Sequence, residues 1–189
     1  MDDSKRIRTK EQLREYLDVE LKDMRITTPQ QLIAYVFQIS ERAIIGKYIR
    51  LLRRTEYHIN AGHKLRGLWM NARLTKMMMK TGIHVGPNIC GKGLQIAHVE
   101  PCGFTGGTVV GENCRLHAVS FTMADSEGNA PVIGNNVIIG MGSMLIGGVT
   151  IADDISIGAG AVVTKDFLEP GITIAGVPAK KLKDTRDRF

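Results

Sequence analysis

The sequence predicts an α+β protein in two parts, a helical N-terminal unit followed by a parallel β-helix. Three observations carry this. Glycine is segregated, with three of 21 (Gly46, Gly62, Gly67) in residues 1–80 and the other 18 in 81–189. Charge is segregated the opposite way: residues 1–80 hold 17 Lys+Arg against 9 Asp+Glu, and residues 81–189 hold 8 against 10. Finally, the glycine-rich part repeats with a period of six, which matches neither the 3.6 of a helix nor the two of a strand.

Residues 9–80 read as helix. Thr9 with Gln12 forms a capping-box pattern, and Leu13, Leu17, Leu21 and Met24 keep one face. Thr28-Pro29-Gln30-Gln31 is a stronger start, with an N-cap threonine, proline at the first helical position and glutamine at N3. One helix is expected from there to a break at Asn60-Ala61-Gly62, with Leu32, Val36, Ile39 and Ala43 as its apolar stripe. A last helix carries Leu65, Leu68, Trp69, Ala72 and Met77-Met78-Met79, with Gly82 as its stop. The methionines are read as packing against the neighbouring domain. Residues 42–80 hold ten Lys/Arg and one acid, Glu56. That reads either as an anionic-partner surface or as a solvated face whose charges meet acids on another subunit. No nucleic-acid motif accompanies the charge, so no nucleic-acid partner is expected.

The repeat is clearest at Ile133, Ile139, Leu145, Ile151, Ile157 and Val163, six residues apart and all aliphatic. Four places on stand Val137, Ser143, Val149, Ile155, Ala161 and Phe167, mostly small or branched. An earlier run in the same pattern is Phe104, Val110, Leu116 and Thr122, with Thr108, Cys114 and Ser120 four places on. Ile83 and Ile89 begin a less regular one. Met123–Val132 interrupts the spacing and reads as a loop inserted at a corner. Three hexads closing a triangular coil satisfy this pattern, each coil stacking about 4.8 Å above the last. The ordinary crossover preference would wind it right-handed. The expected units are 1–80 helical, 81–178 β-helix and 179–189 a C-terminal tail.

Several classes drop out. No stretch approaches the roughly 18 apolar residues of a membrane span. The opening Asp2-Asp3 lacks a following apolar core, so no secretory signal is expected and the chain is read as cytoplasmic. Cys90, Cys102 and Cys114 are odd in number, twelve residues apart and without CxxC spacing. They are expected to be inert core thiols set by the repeat, not a disulfide framework or zinc site.

Three segments of residues 81–182 resemble the hexapeptide-repeat acyltransferases, within them the serine acetyltransferase family. They are Gly91-Lys92-Gly93-Leu94-Gln95-Ile96-Ala97-His98, Val110-Gly111-Glu112-Asn113-Cys114-Arg115-Leu116-His117, and the stretch from Val132-Ile133-Gly134 through Ile157-Gly158-Ala159-Gly160 to Ala175-Gly176-Val177-Pro178-Ala179-Lys180. Tyr57-His58 to Ile83 is similar to the shorter members linked to bacterial polysaccharide synthesis. The resemblance implies a left-handed coil, correcting the crossover expectation. It also implies a homotrimer, with pairing into a dimer of trimers left open, and acetyl-CoA as co-substrate with no metal.

The implied chemistry moves an acetyl group from a thioester to a hydroxyl, which needs a general base. Of five histidines, His98 lies where the hexad phase breaks, and it matches the family's catalytic histidine. The aspartate that partners this base in the family falls at Gly82, and the one directly preceding it at Ala97. Glu100 is the favoured substitute, with Asp125 or Glu127 of a neighbouring chain as others. His117 and Arg115 are expected to line the acceptor site. The family's Arg–His pair for the serine carboxylate falls near Asn129 and Ala130, which leaves serine and a sugar hydroxyl both open as acceptor. A silent trimeric scaffold is the third reading. The resemblance places the pantetheine arm near Met141, Ala159, Ala175 and Gly176, with Lys180 and Lys181 toward the nucleotide phosphate. The chain ends Asp187-Arg188-Phe189, not in isoleucine, so docking to the next enzyme of cysteine synthesis is not expected.

Overall fold

The computed structural model describes residues 6–24, 27–37 and 39–184. Asp2, Asp3 and the Asp187-Arg188-Phe189 end lie outside them. Four helices come first: α1 (Lys10–Glu20), α2 (Pro29–Phe37), α3 (Glu41–Asn60) and α4 (Lys64–Thr81). Fourteen short strands follow among the described residues: β1 (Ile83–His84), β2 (Gln95–Ile96), β3 (Cys102–Gly103), β4 (Val109–Val110), β5 (Arg115–Leu116), β6 (Phe121–Met123), β7 (Val132–Ile133), β8 (Ile138–Ile139), β9 (Met144–Ile146), β10 (Thr150–Ile151), β11 (Ser156–Ile157), β12 (Val162–Val163), β13 (Ile172–Ala175) and β14 (Lys180–Asp184).

α1 starts with the expected capping box: Gln12 N–H donates to Thr9 Oγ1 at 3.2 Å while Gln12 Oε1 accepts from Thr9 N–H at 3.1 Å. The single helix expected from Pro29 to residue 60 is two. Ser40 accepts from Ala43 N–H at 3.3 Å and caps a fresh helix, α3. The expected stripe therefore splits. Ala43 is buried, whereas Leu32, Val36 and Ile39 are exposed. α4 ends at Gly82 in the left-handed conformation (φ +73°), and its inner face buries Gly67, Met70 and Leu74. Met77 and Met78 pack against the core, while Met79, Leu65, Leu68 and Trp69 stay exposed. No helix among the described residues is long and apolar enough to cross a membrane.

The strands wind a left-handed parallel β-helix of about five turns. One face stacks β1, β3, β6, β9 and β12; the second β4, β7 and β10; the third β2, β5, β8, β11 and β13, with β14 added at the end. Ile133 pairs with Ile151, Ile139 with Ile157 and Leu145 with Val163, so one coil is three hexads, eighteen residues. These aliphatics point inward and are buried, as are Val137, Ser143, Ile155 and Ala161 four places on. Thr122 pairs with Leu145 across the interruption, five residues longer than a regular coil, so the inserted loop leaves the register intact on both sides. One corner column is built from Asn113, Asn136 and Asp154, all at positive φ and linked by side-chain hydrogen bonds of 3.0 and 2.9 Å. These short polar side chains tolerate the left-handed region that the turn demands. All three cysteines are buried, and burial pushes Cys102 up to about 11 and Cys114 up to about 12.

A buried polar clamp joins the two parts. Arg53, fully buried, bonds Glu20 and Glu56 and donates to the carbonyls of Cys90 (3.0 Å) and Gly91 (2.8 Å). Glu20 Oε1 accepts from the backbone N–H groups of Gly93 and Leu94, both at 3.1 Å, and Glu56 accepts from Asn88 N–H at 2.9 Å. Tyr48, also buried, donates to the Ile83 carbonyl at 3.0 Å and accepts from Val85 N–H at 3.1 Å. Every hydrogen-bond partner of the arginine named above is a carboxylate or carbonyl, which is what a buried guanidinium requires, and its central carbon also lies over the Tyr16 ring at 4.9 Å.

Candidate active site

The third face passes to the first through one corner, repeated in every coil. The chain turns there at 97–101, 117–120, 140–143 and 158–161, and at 176–179 it reaches the same corner beside β12 before folding back from β13 into β14. A ladder of backbone bonds runs along this edge. Val119 N–H donates to Pro101 O (2.8 Å), Gly142 N–H to Ala118 O (3.0 Å) and Gly160 N–H to Met141 O (2.8 Å). His98, His117, Met141, Ala159 and Gly176 each fall on one of these turns. The residues that the resemblance assigns to the base and the donor arm thus lie along one edge, His98 at one end and Gly176 at the other. At about 4.8 Å per coil the edge spans roughly 19 Å.

The first turn is the widest. β2 releases the chain at Ile96, and five residues, Ala97 to Pro101, lead to β3 where the next three turns use four. His98 is about half exposed. Its ring lies 6.5 Å from that of His117, centroid to centroid. His117 is held below the ordinary histidine range, first by burial and then by the Arg115 guanidinium and His98. Arg115 itself is exposed on β5.

The carboxylate facing His98 is Glu41, in the first turn of α3. Its Oε2 stands 3.5 Å from His98 Nδ1, and its Oε1 accepts from Val99 N–H at 2.7 Å. Glu100 is exposed on the same turn and, among the described residues, makes no ion pair with His98. Asp125 is engaged in its own loop, accepting from the backbone of Glu127 (3.0 Å) and Asn129 (2.9 Å). The reading from sequence missed Glu41 because it ran one helix through Ser40. The capping serine followed by an acid was the available signal.

Farther along the edge the turns narrow. Gly142 and Gly160 hold φ of +70° and +67°, and their lack of a side chain opens the edge. Val119 occupies the matching place one coil earlier at φ +57°, an unfavourable conformation for a β-branched residue. Met141 and Ala159 are exposed, and Ala175 packs against Gly158, where a Cβ would come within 2.8 Å of it. Lys180 is exposed on β14. Lys181 bonds Glu169 at 2.6 Å and Asp184 at 2.9 Å, so its ammonium already has carboxylate partners. The segment read as a tail is in part this strand, which pairs antiparallel with β13.

Residues 130–165 match the bacterial transferase hexapeptide family (six repeats). A serine acetyltransferase of Helicobacter pylori (strain J99) is 33% identical over 134 residues, covering 68% of this chain and 77% of that protein. This chain belongs to the serine acetyltransferase family. The family's members are acetyl-CoA-dependent O-acetyltransferases. Among solved structures, the Neisseria gonorrhoeae serine acetyltransferase aligns with a TM-score of 0.66 at 21% identity, over 93% of this chain and 66% of that one. A serine acetyltransferase in complex with CoA aligns at 0.68 and 18% identity, over 92% and 71%. The chain therefore spans about two thirds of these longer family members. The fold match includes the helices as well as the coil.

Proposed function

We propose that the chain transfers the acetyl group of acetyl-CoA to the hydroxyl of L-serine, with His98 as general base. The observation that carries this reading is the shared edge. A half-exposed histidine at an opened turn continues into a glycine-lined column long enough for an extended thioester, on a member of the serine acetyltransferase family.

His98 takes the hydroxyl proton as the oxygen attacks the thioester carbon. Backbone N–H groups of the corner turns stabilise the tetrahedral oxyanion. When the C–S bond breaks, the proton passes from His98 to the departing sulfur, giving CoA thiol and the acetyl ester. His117, kept neutral by burial and by Arg115, retains a ring nitrogen able to accept a hydrogen bond from the acceptor. Arg115 offers a cation to its carboxylate. Met141, Ala159, Ala175 and Gly176 line the path of the pantetheine arm, and Lys180 meets the nucleotide phosphate. Lys181 supports β14 through Glu169 and Asp184. The working unit is a homotrimer, a reading supported by the exposed apolar faces of α2 and α4 and by an edge left open in one subunit.

Release of CoA thiol from acetyl-CoA tests the reading. L-serine should drive release and sugars should not. His98→Ala should lower kcat by about 100-fold or more, the usual weight of a general base. Sugar-driven release would move the acceptor to a glycan hydroxyl, and wild-type turnover by His98→Ala would sink the mechanism.

A further inference from the structure

We infer that Glu41 is the positioning carboxylate of His98, supplied to the coil's histidine by the helical part of the chain. The inference rests on the reading of His98 as base and adds its missing partner.

Three observations converge. The first is contact. One carboxylate uses Oε1 to hold Val99 N–H at 2.7 Å and sets Oε2 at 3.5 Å from His98 Nδ1. It grips the backbone of the turn and faces the ring that the turn carries. The second is exclusion at position 82, where the family's partner aspartate falls. Gly82 sits at φ +73°, and a Cβ there would lie 3.0 Å from Pro101 Cα and 3.1 Å from Pro101 Cγ. A side chain at 82 would strain the backbone and press on the His98 turn itself. The third is occupancy of the alternatives. Asp125 is spent on its own loop, and Glu100 makes no ion pair with His98 among the described residues.

The chemistry follows from the atoms. A carboxylate opposite Nδ1 fixes the Nδ1–H tautomer and leaves the Nε2 lone pair free to take the hydroxyl proton. As the imidazolium forms, Glu41 stabilises it and takes no proton itself. The proton goes on from Nε2 to the sulfur. Glu41 touches neither substrate, so its role is to position.

Glu41→Gln separates this from a purely structural role. Glutamine keeps a carbonyl for Val99 N–H but turns an amide donor toward Nδ1, which favours the opposite, Nε2–H tautomer. In the full-length protein, long-range ¹H–¹⁵N NMR should show Nδ1–H His98 in the wild type and Nε2–H in Glu41→Gln. The variant's kcat should fall about 100-fold or more, by the weight of a misassigned tautomer. KM for acetyl-CoA should stay within about twofold, because that column is remote from Glu41. Glu41→Asp should recover part of kcat. Wild-type kcat in Glu41→Gln, or an unchanged tautomer, overturns the inference, and it does so without touching the base assignment if His98→Ala is inactive. An active His98→Ala overturns the base assignment, while the tautomer measurement still reports on Glu41.

Discussion

The helical part and the coil share one apolar core but differ in what else holds them. The coil repeats one largely apolar solution: an inward, mostly aliphatic residue every six positions outside the inserted loop, usually backed by a small or branched one, with the strands of successive coils paired. No single contact there is unique. The helical part packs Ile45, Ile49, Leu52 and Leu74 into the same core but adds one-off polar chemistry, with Arg53 gathering Glu20, Glu56 and two coil carbonyls, and Tyr48 bridging Ile83 and Val85. Repetition spreads stability evenly, whereas a clamp concentrates it. The clamp also sits at the first coil, next to the turn that carries His98, so the two parts are joined where the chemistry is placed.

The largest expected effect follows from that concentration. Arg53→Ala leaves Glu20 and Glu56 buried without their counter-charge and orphans the Cys90 and Gly91 carbonyls. Removing one member of a buried ion pair costs about 3–5 kcal/mol. Urea denaturation should show a loss of that size, with helical signal melting before the coil. A loss under about 1 kcal/mol, or a single unsplit transition, would mean that the two parts do not differ in this way. Burial holds the Glu56 carboxyl above its ordinary range even with Arg53 beside it, and the arginine is the main pull in the other direction, so its loss would push this carboxyl higher still.

What the sequence revealed divides along the same line. The coil was legible down to its inward positions, because Ile133 to Val163 repeat one local rule and any one hexad predicts the next. His98 stood out because the hexad phase breaks there, and His117 because it takes the glycine-like place of its hexad. The clamp was not. Arg53 looks like any of ten cations in residues 42–80 until folding carries it to Glu20, thirty-three positions away. Glu41 was hidden for a related reason. Its partner lies on another element, and the Ser40 cap that would have marked its helix start stood inside an apolar periodicity strong enough to read through.

An intermediate effect probes the coil where its rule is broken at the site. Val119 holds φ +57° in a column where the next two coils use glycine. A residue kept in such a conformation costs about 1–3 kcal/mol, and glycine's extra freedom in the unfolded chain returns about 0.5–1 kcal/mol of that. Val119→Gly should therefore raise stability by about 1 kcal/mol, seen as a higher Tm. If the valine helps to shape the acceptor site, KM for the acceptor should rise while KM for acetyl-CoA stays put. A lower Tm would show that its side chain contributes more than its backbone costs.

The smallest effect compares one histidine from each part. His58, on α3, is held below the ordinary histidine range by burial first, then by Arg66, His63 and Arg54. His117, on the coil, is lowered by burial, Arg115 and His98. His58 Nδ1 also lies 3.0 Å from His63 Nδ1, and a hydrogen bond there needs one of the two unprotonated. A lowered pKa means that the native state resists a proton which the unfolded chain accepts near the ordinary value of about 6.5. Stability is therefore full above that value and declines as pH falls through it toward the lowered native pKa. Denaturation midpoints at about pH 7.5 and 5.5 should show this loss in the wild type. His58→Asn and His117→Asn should each remove part of it, the first in the helical transition and the second in the coil transition if Arg53→Ala has split them. Both histidines are partly exposed, so each share is small. A midpoint that rises on acidification would reverse the sign and show that these imidazoles gain partners on protonation instead of losing solvation.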